Sequence, residues 1–180
     1  LSFTPGTWVE SIQITKGAGS VVNGYESISG QINTELIKPL KDIPFFLNAY
    51  GSTDSRFELN THFNKKINEE WATSLFIHGN ARVSKNDMNH DNFLDNPLGK
   101  QINLTNRWQY ASAKTGWVSF FNIKYMKDEK QTGEVDFDPK TDKLTTNNWG
   151  SEINTERADF ASKIGYVFKE APYQSIGFQN

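Results

Sequence analysis

Trp71-Ala72-Thr73-Ser74-Leu75-Phe76-Ile77-His78-Gly79-Asn80-Ala81-Arg82-Val83 alternates between two kinds of side chain. Successive strand side chains point to opposite faces, so odd and even positions separate. Trp71, Thr73, Leu75, Ile77, Gly79, Ala81 and Val83 form a greasy face, and Ala72, Ser74, Phe76, His78, Asn80, Arg82 and Ser84 oppose them with a wetter one. Alternation over that length predicts a long strand with one apolar and one polar side.

The same pattern recurs on both sides of it. Phe45 to Gly51 runs out and Arg56 to Lys65 returns, with Phe57, Leu59, Thr61 and Phe63 on one face and Arg56, Glu58, Asn60, His62 and Asn64 on the other. Gln101 to Tyr110 places Ile102, Leu104, Trp108 and Tyr110 together. Gly116 to Lys127 groups Trp117, Phe121, Ile123 and Tyr125, and Arg157 to Phe168 groups Ala158, Phe160, Ile164, Tyr166 and Phe168. A further strand begins near Tyr173. The links at 66–70, 111–115 and 169–172 are short, and those at 85–100 and 128–156 are long. In an up-and-down meander every second connection falls at one end, so the long loops share one end and the short turns the other, although the first connection, Ser52 to Ser55, breaks the trend by being short. The aromatics Phe63, Trp71, Trp108, Tyr110, Trp117, Tyr166 and Phe168 all lie beside the short turns on the apolar face. Short turns, long loops and an aromatic girdle together predict an all-β, antiparallel transmembrane barrel, with Trp71, Trp108, Tyr110, Trp117 and Tyr166 at the membrane interface. A soluble β-sandwich, its rings filling a core, is the competing reading.

Composition permits this. The chain has 180 residues, no cysteine and a net charge of -2. That balance offers no basic footprint for nucleic acid, and the lack of cysteine removes disulfides and thiolate metal sites. The mean hydropathy of -0.63 looks soluble, but a barrel needs apolar residues only at alternate positions. The chain starts at Leu1 and ends in mid-pattern at Ile176 to Asn180, so it reads as an internal piece of a longer protein.

Residues 1–40 differ from the rest: short strand-like runs at Val9 to Thr15 and Gly30 to Thr34 are separated by glycine-rich sequence, and Pro39 and Pro44 bracket a linker. Val9-Glu10-Ser11-Ile12-Gln13-Ile14-Thr15-Lys16-Gly17 resembles the IERIEVIRG stretch in the plug of TonB-dependent outer-membrane receptors. Ser20-Val21-Val22-Asn23-Gly24 and Gly30-Gln31-Ile32-Asn33 are similar to the SVLYG and GGVIN stretches that follow it there. Glu10, Lys16, Gly17, Gly24, Gly30 and Asn33 carry the match. Val22 to Glu26 and Asn103 to Trp108 look most like receptors from Bacteroidota. Lys16 stands where the family usually has arginine, a point charge in place of a bidentate fork. Ala18-Gly19 replaces the common Pro-Ala, and Asn23 replaces an aromatic.

The resemblance implies that residues 1–40 end a plug domain and 41–180 begin the barrel, roughly seven strands of about 22. It also implies a bacterial outer-membrane location and TonB-dependent uptake of a scarce, bulky solute. Metal chelates (siderophore, haem or cobalamin, hence iron transport) and oligosaccharides or peptides are the candidate cargoes. The implied partners are outer-membrane lipid, TonB through an N-terminal segment outside this chain, and a surface lipoprotein. The alternative is a receptor-like barrel that acts as a non-transporting scaffold in an outer-membrane complex.

Two groups of polar residues stand out. In the loop after the third strand, Asp87, Asn89, Asp91 and Asp95 have the oxygen spacing of a calcium site, with Asn92 where a left-handed glycine is preferred. His90 is a weaker pointer to a transition metal, and the plain alternative is a solvated acidic loop. No cofactor beyond this Ca2+ candidate is suggested. His62 and His78 share the polar face with Arg56, Glu58 and Arg82, as plug contacts or ligand path, or as a hydrated barrel interior. No G-x-S-x-G elbow, phosphate loop or acid–base carboxylate pair appears, so a non-enzyme is expected.

Overall fold

The computed structural model describes residues 4–19, 28–40 and 43–180. A single 3-10 turn, Gly6–Trp8, leads into β1 (Val9–Lys16), which pairs antiparallel with β2 (Gly30–Leu36). Seven further strands follow: β3 (Phe45–Gly51), β4 (Arg56–Lys66), β5 (Trp71–Arg82), β6 (Leu98–Ala111), β7 (Trp117–Gly133), β8 (Gly150–Val167) and β9 (Ser175–Gln179). They form one antiparallel meander in chain order, open at β3 and β9. The fold is therefore all-β, with a two-stranded sheet β1–β2 and an open seven-stranded sheet β3–β9 among the described residues.

Register fixes the two faces. Thr61, Ile77, Leu104, Tyr125 and Ala158 form one row across β4 to β8, and Asn60, His78, Asn103, Met126 and Arg157 form the next. The burial of these faces is inverted relative to a soluble sheet. On the apolar side Phe57 is 58% exposed, Ile123 56% and Phe160 59%, whereas on the polar side Asn60 is 1%, His62 2% and Asn103 0% exposed. Among the described residues no second sheet covers the apolar face. The N-terminal segment lies on the polar face instead, with Trp8 buried against Phe76.

Turn chemistry explains the short-turn end. Asn68 Oδ1 accepts the backbone N–H groups of Glu70 and Trp71 at 2.9 and 2.8 Å, closing the link from β4 to β5. Gly116 takes φ 81 between β6 and β7, a conformation that glycine adopts without steric cost. Connections 67–70, 112–116 and 168–174 lie together, opposite 83–97 and 134–149, with the short link 52–55 at the long-loop end.

Two strands are longer than expected. β7 continues to Gly133 and β8 begins at Gly150, so the second long loop spans 134–149 rather than 128–156. Beyond Tyr125 the outward positions are charged, which removes the apolar alternation while backbone pairing continues. Lys127 Nζ and Lys100 Nζ lie 2.8 and 3.4 Å from Glu129, and the Tyr125 hydroxyl donates to Glu156 at 3.0 Å. The outward face thus changes from apolar to charged part-way up the same strands.

Candidate functional site

Three features stand out: the buried polar face, the N-terminal segment anchored on it through Trp8 and Ile37, and the paired long loops.

On the polar face, side chains link strand to strand. Asn60 Nδ2 donates to Asn48 Oδ1 at 3.4 Å and to Glu58 Oε1 at 2.9 Å. His78 Nδ1 lies 2.7 Å from Asn60 Oδ1, and its Nε2 lies 3.0 Å from Gln101 Oε1. Gln101 Nε2 donates onward to Asp128 Oδ1 at 3.2 Å. This ladder runs from β3 to β7 and satisfies groups that would otherwise be costly to bury. Beside it Phe46 stacks on His62 at 5.0 Å, and His62 meets Phe76 at 5.4 Å. Trp8 completes the cluster, its ring 5.4 Å from Phe76 and edge-on to His78 at 6.4 Å. His62 and His78 are therefore brought together under the N-terminal segment, while Arg56 pairs with Glu58 at 2.8 Å and Arg82 with Asp54 at 2.8 Å.

The sequence motif of the hairpin is placed as follows. Glu10 lies 3.7 Å from Lys38 Nζ. Lys16 ends β1 opposite Gly30, and Gly17 turns at φ 86 with its N–H bonded to Ser29. A Cβ at Gly30 would press on the Thr15 carbonyl at 3.1 Å, so close strand approach favours glycine there. Asn33 donates to Gln13 Oε1 at 3.2 Å across the pair. Gly24 lies outside the described residues. The exit of β2 is fastened twice. The Ile37 N–H donates to the Trp8 carbonyl at 3.0 Å, and Arg107 Nη1 donates to the Ile37 carbonyl at 2.6 Å. Next to it, Glu35, which accepts a hydrogen bond from Lys38, and the charge of Glu10 hold the Lys38 ammonium above its ordinary range. Neither Trp8 nor Arg107 was singled out by sequence reasoning. A lone Trp before a short strand carries no periodic signal, and Arg107 reads as one more polar-face residue.

The aromatic set is gathered as expected beside the short turns. Ring centroids are 4.9 Å apart for Trp71 and Tyr110, 6.3 Å for Trp71 and Trp108, and 5.1 Å for Trp117 and Tyr166. Phe45–Phe63 and Tyr166–Phe168 extend the row at both ends.

At the opposite end the two long loops form one unit. Phe93 bridges to Glu134, the Leu94 N–H donates to Gly133 at 2.9 Å, and the Val135 N–H donates to Asn92 at 2.9 Å. Leu94 and Phe137 are buried there, and Phe137 sits directly on Gly150. In the first loop the acidic residues accept backbone hydrogen bonds. Asp87 takes the N–H groups of Asp91 and Asn92 at 3.1 and 2.9 Å, and Asp91 takes that of Phe93 at 2.8 Å. Asp95 accepts from Met88 N–H at 2.8 Å, and Asn89 donates to Asp91 at 2.9 Å. Asn92 has the left-handed φ of 68 that its position suggested, and His90 has φ 59. Among the described residues no group of three or more His, Asp or Glu side chains is gathered to hold a metal. The oxygen spacing offered to calcium is accounted for here by turn bonding.

In the second loop Asp142 is the hub. The Asp138 N–H donates to its carboxylate at 2.9 Å and Asn148 Nδ2 at 3.1 Å, which hold the carboxyl below its ordinary range. No protein-family model, curated protein or solved structure matches this chain.

Proposed function

We propose that the chain belongs to a TonB-dependent outer-membrane transporter and contributes the end of its plug and the first strands of its barrel. One observation carries the reading: the apolar face of the sheet is open, while the polar face is buried at its centre, where Trp8 seats the N-terminal segment on Phe76 and His78. A sheet in water minimises free energy by the opposite arrangement, since buried apolar area is worth about 25 cal/mol per Å². Lipid outside and a polar plug inside make the observed arrangement favourable. The apolar runs 117–125 on β7 and 158–166 on β8 suit the ~9–11 residues a tilted strand uses to cross a bilayer. The charged positions above them suit the water side of that boundary. The plug-like motif supplies the family, and active uptake of a metal chelate, an oligosaccharide or a peptide follows from the family.

The test uses the full-length protein. It should fractionate with the outer membrane, migrate as a heat-modifiable barrel, and take up its cargo only in cells with TonB and a proton gradient. Recovery as a soluble, detergent-independent monomer would overturn the reading. A membrane barrel that supports no energised uptake and co-purifies with a stable complex would shift it to the scaffold role.

A further inference from the structure

The second long loop and the start of β8 form a cleft of 520 Å3, within the roughly 300–1,000 Å3 range of ligand sites. Its floor and walls come from 134–152. Trp149 lines it and is 63% exposed, with Phe93 behind it at 6.1 Å. A Trp held at a cleft mouth outside the apolar belt is an aromatic platform without a protein partner on its open side. Around it stand Thr146, Asn147, Ser151 and Glu152. The cleft is preorganised, because the Phe93–Glu134 bridge and the Asp142 hydrogen bonds fix both loops before any ligand arrives. Such rigidity lowers the entropic cost of binding.

We propose that this cleft binds a neutral oligosaccharide, which narrows the cargo of the transporter proposed above and rests on that reading. Sugars present one C–H-rich face that packs on an indole and hydroxyls that both donate and accept. The lining matches both halves: Trp149 for the face, and amide, hydroxyl and carboxylate groups for the rim. Charge argues against the anionic ferric chelates. The carboxylates of Glu134 and Glu152 line the cleft against the single ammonium of Lys143, Asp142 being engaged within its own loop. A compact anion would meet repulsion there, whereas a neutral polyol would not.

The experiment is calorimetric titration of the full-length protein in detergent with maltohexaose, cellohexaose, mannohexaose and xylohexaose, and in parallel with ferric citrate, cyanocobalamin and choline. At least one hexaose should bind saturably. Trp149→Ala should weaken it by about tenfold or more, and Asn147→Ala, which leaves the loop backbone bonds in place, by about threefold. Trp149→Tyr should retain most of the affinity. The inference is overturned if no hexaose binds up to about 10 mM, a range in which weak sugar sites saturate. It is also overturned if both alanine variants bind as the parent does. Ferric citrate, cyanocobalamin or choline bound in place of every hexaose removes the sugar assignment. Energised uptake of that ligand would then leave the transporter reading standing. Absence from the outer membrane would remove the transporter reading, whatever the titration shows.

Discussion

Ile123 and Lys124 are neighbours on β7 and occupy opposite surroundings. Ile123 pairs with Phe160 on a face that nothing in the described chain covers, and Lys124 pairs with Asp159 on the opposite, polar face. The contrast repeats across β4 to β7. One side is mostly apolar and open as far as Tyr125, and the other is polar, bonded strand to strand and buried at its centre. A sheet's two faces can therefore be assigned to two solvents from side-chain chemistry and burial together, where either alone is ambiguous. Apolar alternation describes a sandwich and a barrel wall equally well. The difference lies in which face the rest of the chain chooses to cover.

That contrast can be broken from the inside first. Trp8→Ala removes the buried ring on Phe76 and should cost about 3–5 kcal/mol of hairpin docking, read as faster hydrogen exchange across 9–16 and 30–36. If exchange is unchanged, Trp8 does not anchor the hairpin. From the outside, Ile123→Arg should cost about 2–4 kcal/mol of folding in lipid vesicles, the penalty of a cation at the bilayer midplane. Lys124→Gln, one residue away on the other face, should change that stability by under about 1 kcal/mol. Equal effects would erase the distinction between the faces.

At the loop end, turns held by carboxylates surround a small apolar centre of Leu94 and Phe137. Asp87→Ala removes the acceptor of two backbone N–H groups and should loosen residues 87–93 by about 1–2 kcal/mol, measured by proteolysis with and without calcium. Chelating calcium from the parent protein should leave that cleavage rate unchanged. Acid should act on the second loop. The folded carboxyl of Asp142 lies below its ordinary value, so its stabilisation is complete above about pH 3.9 and declines as pH falls through the lowered value. Cleavage within 134–149 should therefore rise only in that acid window, and Asp142→Ala should show it at neutral pH. The smallest effect belongs to Leu144, whose φ of 63 lies in the left-handed region. Leu144→Gly should stabilise the 142–145 turn by about 0.5–1 kcal/mol through relief of that strain.

Much of this was legible in residue order. Trp71 to Val83 announces β5 because each alternate position is apolar, and the clustering of Trp108, Tyr110 and Trp117 follows from meander topology. The upper halves of β7 and β8 were not legible. Lys127, Glu129 and Glu156 occupy outward positions there, so the periodic signal stops although the backbone ladder continues. The acidic loop was legible as special but not as to its use, because Asp and Asn at alternate positions serve turn amides and cations alike. The docking of Trp8 was invisible: it is a long-range contact with Phe76, and no local pattern encodes it.

We propose that the open face meets lipid. The direct measurement is fluorescence quenching of Trp108 and Trp117 in the full-length protein reconstituted in vesicles, compared with variants in which each is phenylalanine. Quenchers attached near the lipid headgroups should suppress this emission strongly, and aqueous iodide should barely affect it. Strong quenching by iodide with none from the lipid-borne probe would place that face in water and contradict the account.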